Sequence, residues 1–260
     1  MNILLSLLLI LAVPGTDEEP PAYGMLLEGE EAEAFLRSAD VVDMVDIPVG
    51  VTEPRKVTLV KGDTTLHAVW KTIDEDQRIE QFDGKAPEIG FRDSYKNEIA
   101  AYELDKLLGL GLVPPAVERK IDGEMGSLGL WLEGVMTDTE RRKKEIAPPD
   151  PQDWNHQMFT IRLFLQLTHD TDYNNVSNLL IDPDFRIYAI DFSRAFRLQK
   201  KLRKEESLTR FSRTVVDRLP DSLKGPDPDS IKLDVRGDEI ASWVKALRFH
   251  HALPLSLFQS

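Results

Sequence analysis

The chain has 260 residues, with 32 Lys or Arg against 45 Asp or Glu, a formal net charge of −13. That excess of acid argues against a surface whose main work is neutralising nucleic-acid phosphates. A content of 42% hydrophobic and 30% charged residues excludes both a disordered acidic tail and a multispan membrane protein. There is no cysteine, which excludes disulfides, thiolate metal sites and cysteine nucleophiles.

Ile3 to Val13 is an almost unbroken apolar run. It is too short for a stable membrane span, which takes roughly 20 apolar residues. It fits the apolar part of a signal peptide over residues 1–15, with Val13 and Gly15 as small residues before a cut, although no Lys or Arg precedes it. Export to the periplasm or beyond is the expectation, with a cytoplasmic location as the alternative. Residues 16–27, opening with TDEEPPAY, read as a flexible linker.

A short helix is expected over Glu28 to Arg37. Three β-branched stretches follow, Val41 to Ile47, Lys56 to Val60 and Thr64 to Ile73, separated by Pro48-Val49-Gly50 and Lys61-Gly62-Asp63. They predict an antiparallel meander. A helix from about Ser94 to Leu108 is capped by Asp93 or Ser94 and stopped by Gly109, Gly111 and Pro114-Pro115. Ala101, Leu104 and Leu108 form its apolar stripe, with Ala100 and Leu107 beside them, and Glu98 lies at the edge of that face. Val113 to Val117 and Leu128 to Leu132 read as strands, and Asp138 to Glu145 as a charged loop. Asp150 and Pro151 start a second long helix carrying Trp154, Met158, Ile161 and Leu165 at helical spacing. A closing helix is expected over Leu233 to Leu247.

The most informative stretch runs from Leu167 to Phe196. It gathers Asp170, Asp172, Asn174, Asn175 and Asn178 behind a helix and then reads as a hairpin turning at Asp182-Pro183-Asp184-Phe185. If Ile181 pairs with Arg186, Asn178 faces Ala189, and Asp191 projects on the same side as Asn178. An amide oxygen and a carboxylate without histidine or thiol suit a hard cation such as Mg²⁺ or Mn²⁺. The five histidines do not gather, so no zinc site is expected. The run Arg141 to Lys144 reads as a solvated loop.

An Asp at a helix end, an Asn opening a strand and an Asp-Phe closing the hairpin resemble the protein-kinase-like arrangement. Lys71 in Ala68-Val69-Trp70-Lys71 and Glu98 at the following helix agree with it. Glu98 to Arg119 is similar to the secretory-pathway kinases of the Golgi casein kinase type. Thr171-Asp172 through Asn178-Leu-Leu-Ile-Asp, with Ile190-Asp191-Phe, resembles bacterial HipA-like and phosphoinositide-kinase-like proteins. The resemblance implies an α+β, two-lobed kinase-like fold. Its N-lobe, over 28–137, would be an antiparallel sheet with one helix, and its C-lobe, over 138–260, mainly helical. It further implies ATP, Mg²⁺ or Mn²⁺ as cofactor, and a hydroxyl acceptor on a protein. Carried over, Asp172 is the catalytic aspartate and Asn178 and Asp191 hold the metal. Lys71 binds phosphate and Glu98 holds that lysine. Trp131 and Glu133, in Leu130 to Glu133, meet adenine through backbone groups, and Gly50 lies in the loop over the phosphates.

Asp172 to Asn178 is six residues where kinases usually have five, and Asp170 to Asn175 gives five, so that pair is an alternative. Tyr173 replaces the usual basic neighbour, Ser193 the usual glycine, and no GxGxxG loop is present. Two alternatives to protein phosphorylation follow: an inactive nucleotide-binding scaffold, or an enzyme that uses a lipid or small alcohol or transfers AMP.

Overall fold

A computed structural model of the protein describes residues 23–48, 53–80, 88–170 and 175–196. The expected signal peptide, Gly50, Asp172 and the closing helix lie outside the described residues. Those described form a mixed α+β structure, in which helix α1 (Gly29–Ser38) precedes strands β1 (Asp40–Asp46), β2 (Arg55–Lys61) and β3 (Thr64–Lys71). The three strands make the expected antiparallel meander. Leu66, Ala68 and Trp70 are buried on one face of β3, which leaves Lys71 on the other with His67 and Val69. From Tyr23 onward the expected linker is packed. Met25, Leu26 and Leu27 lie against the core, and Gly24 exchanges backbone hydrogen bonds with Glu133.

A second hairpin, β4 (Asp74–Glu80) and β5 (Glu88–Ser94), leads into helix α2 (Tyr95–Leu108). The sequence of β4, DEDQRIE, has no apolar alternation that would announce a strand. Ser94 Oγ accepts the Lys96 N–H at 3.3 Å, and Gly109 ends the helix at φ 59. Leu107, expected beside the apolar stripe, is instead 44% exposed. Strands β6 (Ala116–Ile121) and β7 (Glu124–Leu130) are displaced from their expected positions. Pro114 and Pro115 lack the N–H groups a ladder needs, so β6 starts after them. Asp122 (φ 50) and Gly123 (φ 92) form the two-residue turn that fixes the start of β7. The main sheet runs β1-β2-β3-β7-β6.

Beyond it, β8 (Met136–Thr137) pairs with β9 (Leu179–Ile181), and β9 pairs with β10 (Ile187–Ala189). Residues 136–137 therefore lie in one sheet with β9 and β10. The expected charged loop is in fact helix α3 (Asp138–Lys143). Thr137 and Glu140 close it with a reciprocal capping box, in which Thr137 Oγ1 accepts the Glu140 N–H and Glu140 Oε2 accepts the Thr137 N–H. Arg142, Lys143 and Lys144 are exposed as expected and Arg141 is not, and both arginines donate to the fully buried Asp138. Helix α4 (Pro151–Leu167) starts as expected, with Asp150 accepting the N–H groups of Gln152 and Asp153. Among the described residues, no helix is long and apolar enough to cross a membrane.

Two hydrophobic clusters hold these elements. One joins α1 to the main sheet through Phe35, Leu36, Val57, Leu59, Trp70 and Leu128. The other joins α2 to α4 and the β9–β10 hairpin through Leu104, Leu108, Ile161, Phe164, Ile181 and Phe192. Helix α2 also reaches the main sheet, where the Tyr95 hydroxyl donates to Glu118 Oε1 of β6 at 3.1 Å.

The turn after α2 is organised by Asp105, whose carboxylate accepts the N–H of Leu112 at 3.0 Å and of Val113 at 3.3 Å. Burial pushes its pKa up to about 6, against the lowering effect of these bonds. An aspartate raised in this way binds its proton more tightly folded than unfolded. Its contribution is complete below about pH 4, where the unfolded side chain titrates, and is lost as pH rises through 6. Asp105→Asn is expected to flatten stability over that window, removing a slope of up to about 1.4 kcal/mol per pH unit. Urea denaturation of both proteins between pH 4 and 7 reads this, and parallel curves would contradict it.

Candidate active site

Lys71 ends β3, Glu98 lies in the first turn of α2, and Asp191 follows β10. These three positions are distant in sequence, yet Lys71 Nζ donates to Glu98 Oε1 at 2.5 Å and to Asp191 Oδ1 at 2.7 Å. The Lys71 and Glu98 side chains are 11% and 13% exposed, and Asp191 is 40% exposed. The triad is sealed on the helix side and open on the Asp191 side. Burial opposes the charge on Lys71, but the two carboxylates more than offset it and hold the ammonium well above the ordinary lysine range. The second oxygen of Glu98, Oε2, accepts the Phe192 N–H at 3.1 Å. Glu98 therefore grips both the lysine and the backbone beside Asp191.

Asp191 reaches the triad by a route other than the one expected. Ile181 pairs with Ile187, one residue beyond the expected Arg186, so Asn178 does not face Ala189. Asp182 causes the slip. Its Oδ1 accepts the N–H groups of Asp184 and Arg186, and Phe185 adopts φ 62, so the turn takes five residues, 182–186. The Ile190 N–H then donates to the Asn178 carbonyl at 3.0 Å. A regular continuation would place Asn178 and Asp191 on opposite faces. Asp191 has φ 68, however, which breaks the alternation and turns its side chain toward Lys71. The left-handed residue is Asp191 and not Ser193, so the backbone here asks for no glycine at 193.

Asn178 and Asp191 supply the oxygen chemistry a hard cation takes. Asp191 Oδ2 accepts no hydrogen bond from the described residues, and Asn178 Nδ2 is buried without a hydrogen-bond partner. Rotating that amide exchanges its ends and turns the orphaned donor into an oxygen. Asn175, the alternative, is exposed and its Oδ1 already accepts the Ser177 N–H. Asp170 is buried after α4. Among the described residues, no three His, Cys, Asp or Glu side chains gather as a metal cage.

The stretch expected to meet adenine leaves the sheet after Leu130. Trp131 N–H donates to the His67 carbonyl at 3.0 Å, and Lys56 sits 4.4 Å from the centre of its ring. Glu133 is engaged by backbone and side chain. Its backbone pairs with Gly24, and its Oε1 is 2.6 Å from His67 Nδ1. Leu132 lies between them, and its N–H and C=O take no hydrogen bond among the described residues.

Two residues at this site escaped the sequence reading. Gly126 lies opposite the end of β3, where a Cβ would collide with the Lys71 carbonyl and sit 2.9 Å from the Trp70 ring. Only glycine lets β7 approach the lysine this closely. Asn97 is 1% exposed and bonds the backbone after Asp191. A glycine in a strand marks such close approaches and was a usable signal, whereas nothing local singles out Asn97.

No protein-family model matches the chain, and no curated protein matches it.

Proposed function

We propose that the protein is an ATP-dependent phosphotransferase of the two-lobed kinase-like type, moving the γ-phosphoryl group to a hydroxyl, with a protein as acceptor. The observation that carries this reading is the double ion pair of Lys71 with Glu98 and Asp191. Burying an ammonium is costly, and a purely structural role would be served as well by apolar side chains. A lysine kept charged beside a partly exposed carboxylate is suited to phosphate oxygens and the cation they carry. The sheet order, with a glutamate-bearing helix between β3 and β6, supports the same reading.

Bound Mg²⁺ or Mn²⁺ would offset charge on the phosphates and orient them, held by Asp191 Oδ2 and the Asn178 amide. Lys71 supplies a fixed positive charge to the phosphate oxygens, and Glu98 keeps its ammonium extended. Leu132 N–H and C=O are the backbone pair for an adenine edge, because those of Glu133 are taken by Gly24. The role of Asp172, aligning the acceptor hydroxyl, falls on a residue outside the described ones.

The test is to incubate the full chain and a dephosphorylated protein mixture with Mn²⁺ or Mg²⁺ and ATP labelled at either the α or the γ position. Label from the γ position alone is the expected result. Label from the α position would replace the reading with AMP transfer. No label from either, with no metal-dependent ADP release, would overturn it.

A further inference from the structure

The geometry points to Asn97 as a positioning residue that locks Asp191 in its metal-facing conformation, an inference that rests on the proposed phosphotransferase reading. Asn97 lies on α2 one residue before Glu98, with its side chain in the interior. Its Nδ2 donates to the Ser193 carbonyl at 2.7 Å and to the Ala195 carbonyl at 3.2 Å. The orientation of the amide is fixed by these acceptors, since exchanging its ends would set an oxygen against two carbonyl oxygens. Its Oδ1 is buried and unbonded, so the side chain is held by its two donor bonds alone.

The bonds fall on the backbone that decides where Asp191 points. Asp191 stands at φ 68, in the left-handed region that aspartate tolerates better than most residues but seldom adopts, and its surroundings hold it there. Those surroundings come from the junction of β5 with α2, from Lys71 and from α4, after which the Phe196 N–H donates to the Thr168 carbonyl. Glu98 holds the Phe192 N–H, Ser94 N–H donates to the Ser193 carbonyl at 2.9 Å, and Asp93 pairs with Arg194 at 3.4 Å. Phe192 packs edge-to-face on Phe164, their centroids 5.6 Å apart. Glu98 and Ser94 each contribute one bond, whereas Asn97 spans residues 193 and 195. Without it, the segment keeps its ends but loses the tie that fixes its curvature, and Asp191 relaxes away from Lys71.

Hydrogen exchange on the full chain, with Asn97→Leu beside the wild type, tests the lock without any ligand. Amides of residues 192–196 in the variant are expected to exchange about tenfold faster, while α4 and the main sheet keep their protection. The second measurement is the Mn²⁺ concentration that gives half of the ATP-dependent thermal shift. This is expected to rise about tenfold. Unchanged exchange at 192–196, or equal loosening of α4 and the sheet, would overturn the inference. So would an unchanged Mn²⁺ requirement despite faster exchange. A wild type with no metal-supported shift would count against the phosphotransferase reading, and the exchange result would still decide whether Asn97 holds the segment.

Discussion

Lys71→Met is expected to lower both stability and nucleotide affinity, and by different routes. The substitution keeps the length and volume of the side chain but removes the cation that two carboxylates share. Glu98, 13% exposed, is left with only the Phe192 N–H. Stranding a buried carboxylate in this way costs about 3 kcal/mol. Asp191, 40% exposed, can turn to solvent and adds little. Affinity for ATP is expected to fall about 100-fold, since a fixed charge aimed at the phosphates is lost. The second variant, Glu98→Gln, separates the two effects. In the double variant Lys71→Met/Glu98→Gln the stranded charge is gone, so most of the lost stability returns while nucleotide affinity stays low. Urea denaturation and ATP titration of the four proteins give both readings. Additive stability losses would contradict a Lys71–Glu98 pair that acts as a unit.

Asp191→Ala is expected to leave stability within about 1 kcal/mol of the wild type, because the carboxylate is partly solvated. Lys71 keeps Glu98 as its partner. Phosphoryl transfer is expected to fall by about 1000-fold, and ATP binding should become indifferent to Mg²⁺ and Mn²⁺. Asp191→Asn sharpens the comparison. It preserves shape and a hydrogen-bond acceptor for Lys71 but not the charge a cation needs. If Asp191→Asn retained full metal dependence, the carboxylate would not be the metal ligand.

Much of the framework was legible locally. The meander was written in the alternation of Leu66, Ala68 and Trp70 with His67, Val69 and Lys71. Both long helices were bracketed by Ser94 with Gly109 and by Asp150 with Pro151. The misses have local causes too. The Asp122-Gly123 turn and the Thr137–Glu140 capping box are both local signals, but the expectations followed apolar runs and charge instead. The ion-paired cluster of the candidate site was legible in its three side chains and not in its geometry. Lys71, Glu98 and Asp191 could be named as candidates, but the expected register placed Asp191 by strand alternation. The turn at Asp182 lengthens the connection by one residue, and the left-handed Asp191 then restores the approach to Lys71. Asn97 could not be read at all, because its acceptors lie nearly a hundred residues away and are backbone atoms.

We propose that Lys71, Glu98, Asn178 and Asp191 form a nucleotide site completed by a divalent cation. The most direct measurement is the unfolding temperature of the full chain titrated with ATP, alone and with Mg²⁺ or Mn²⁺. A ligand at about 100 times its Kd adds about 2.7 kcal/mol of stability. A saturable shift of that order that requires the metal is the expected result. A well-folded chain whose unfolding temperature does not respond to ATP with either metal would contradict it.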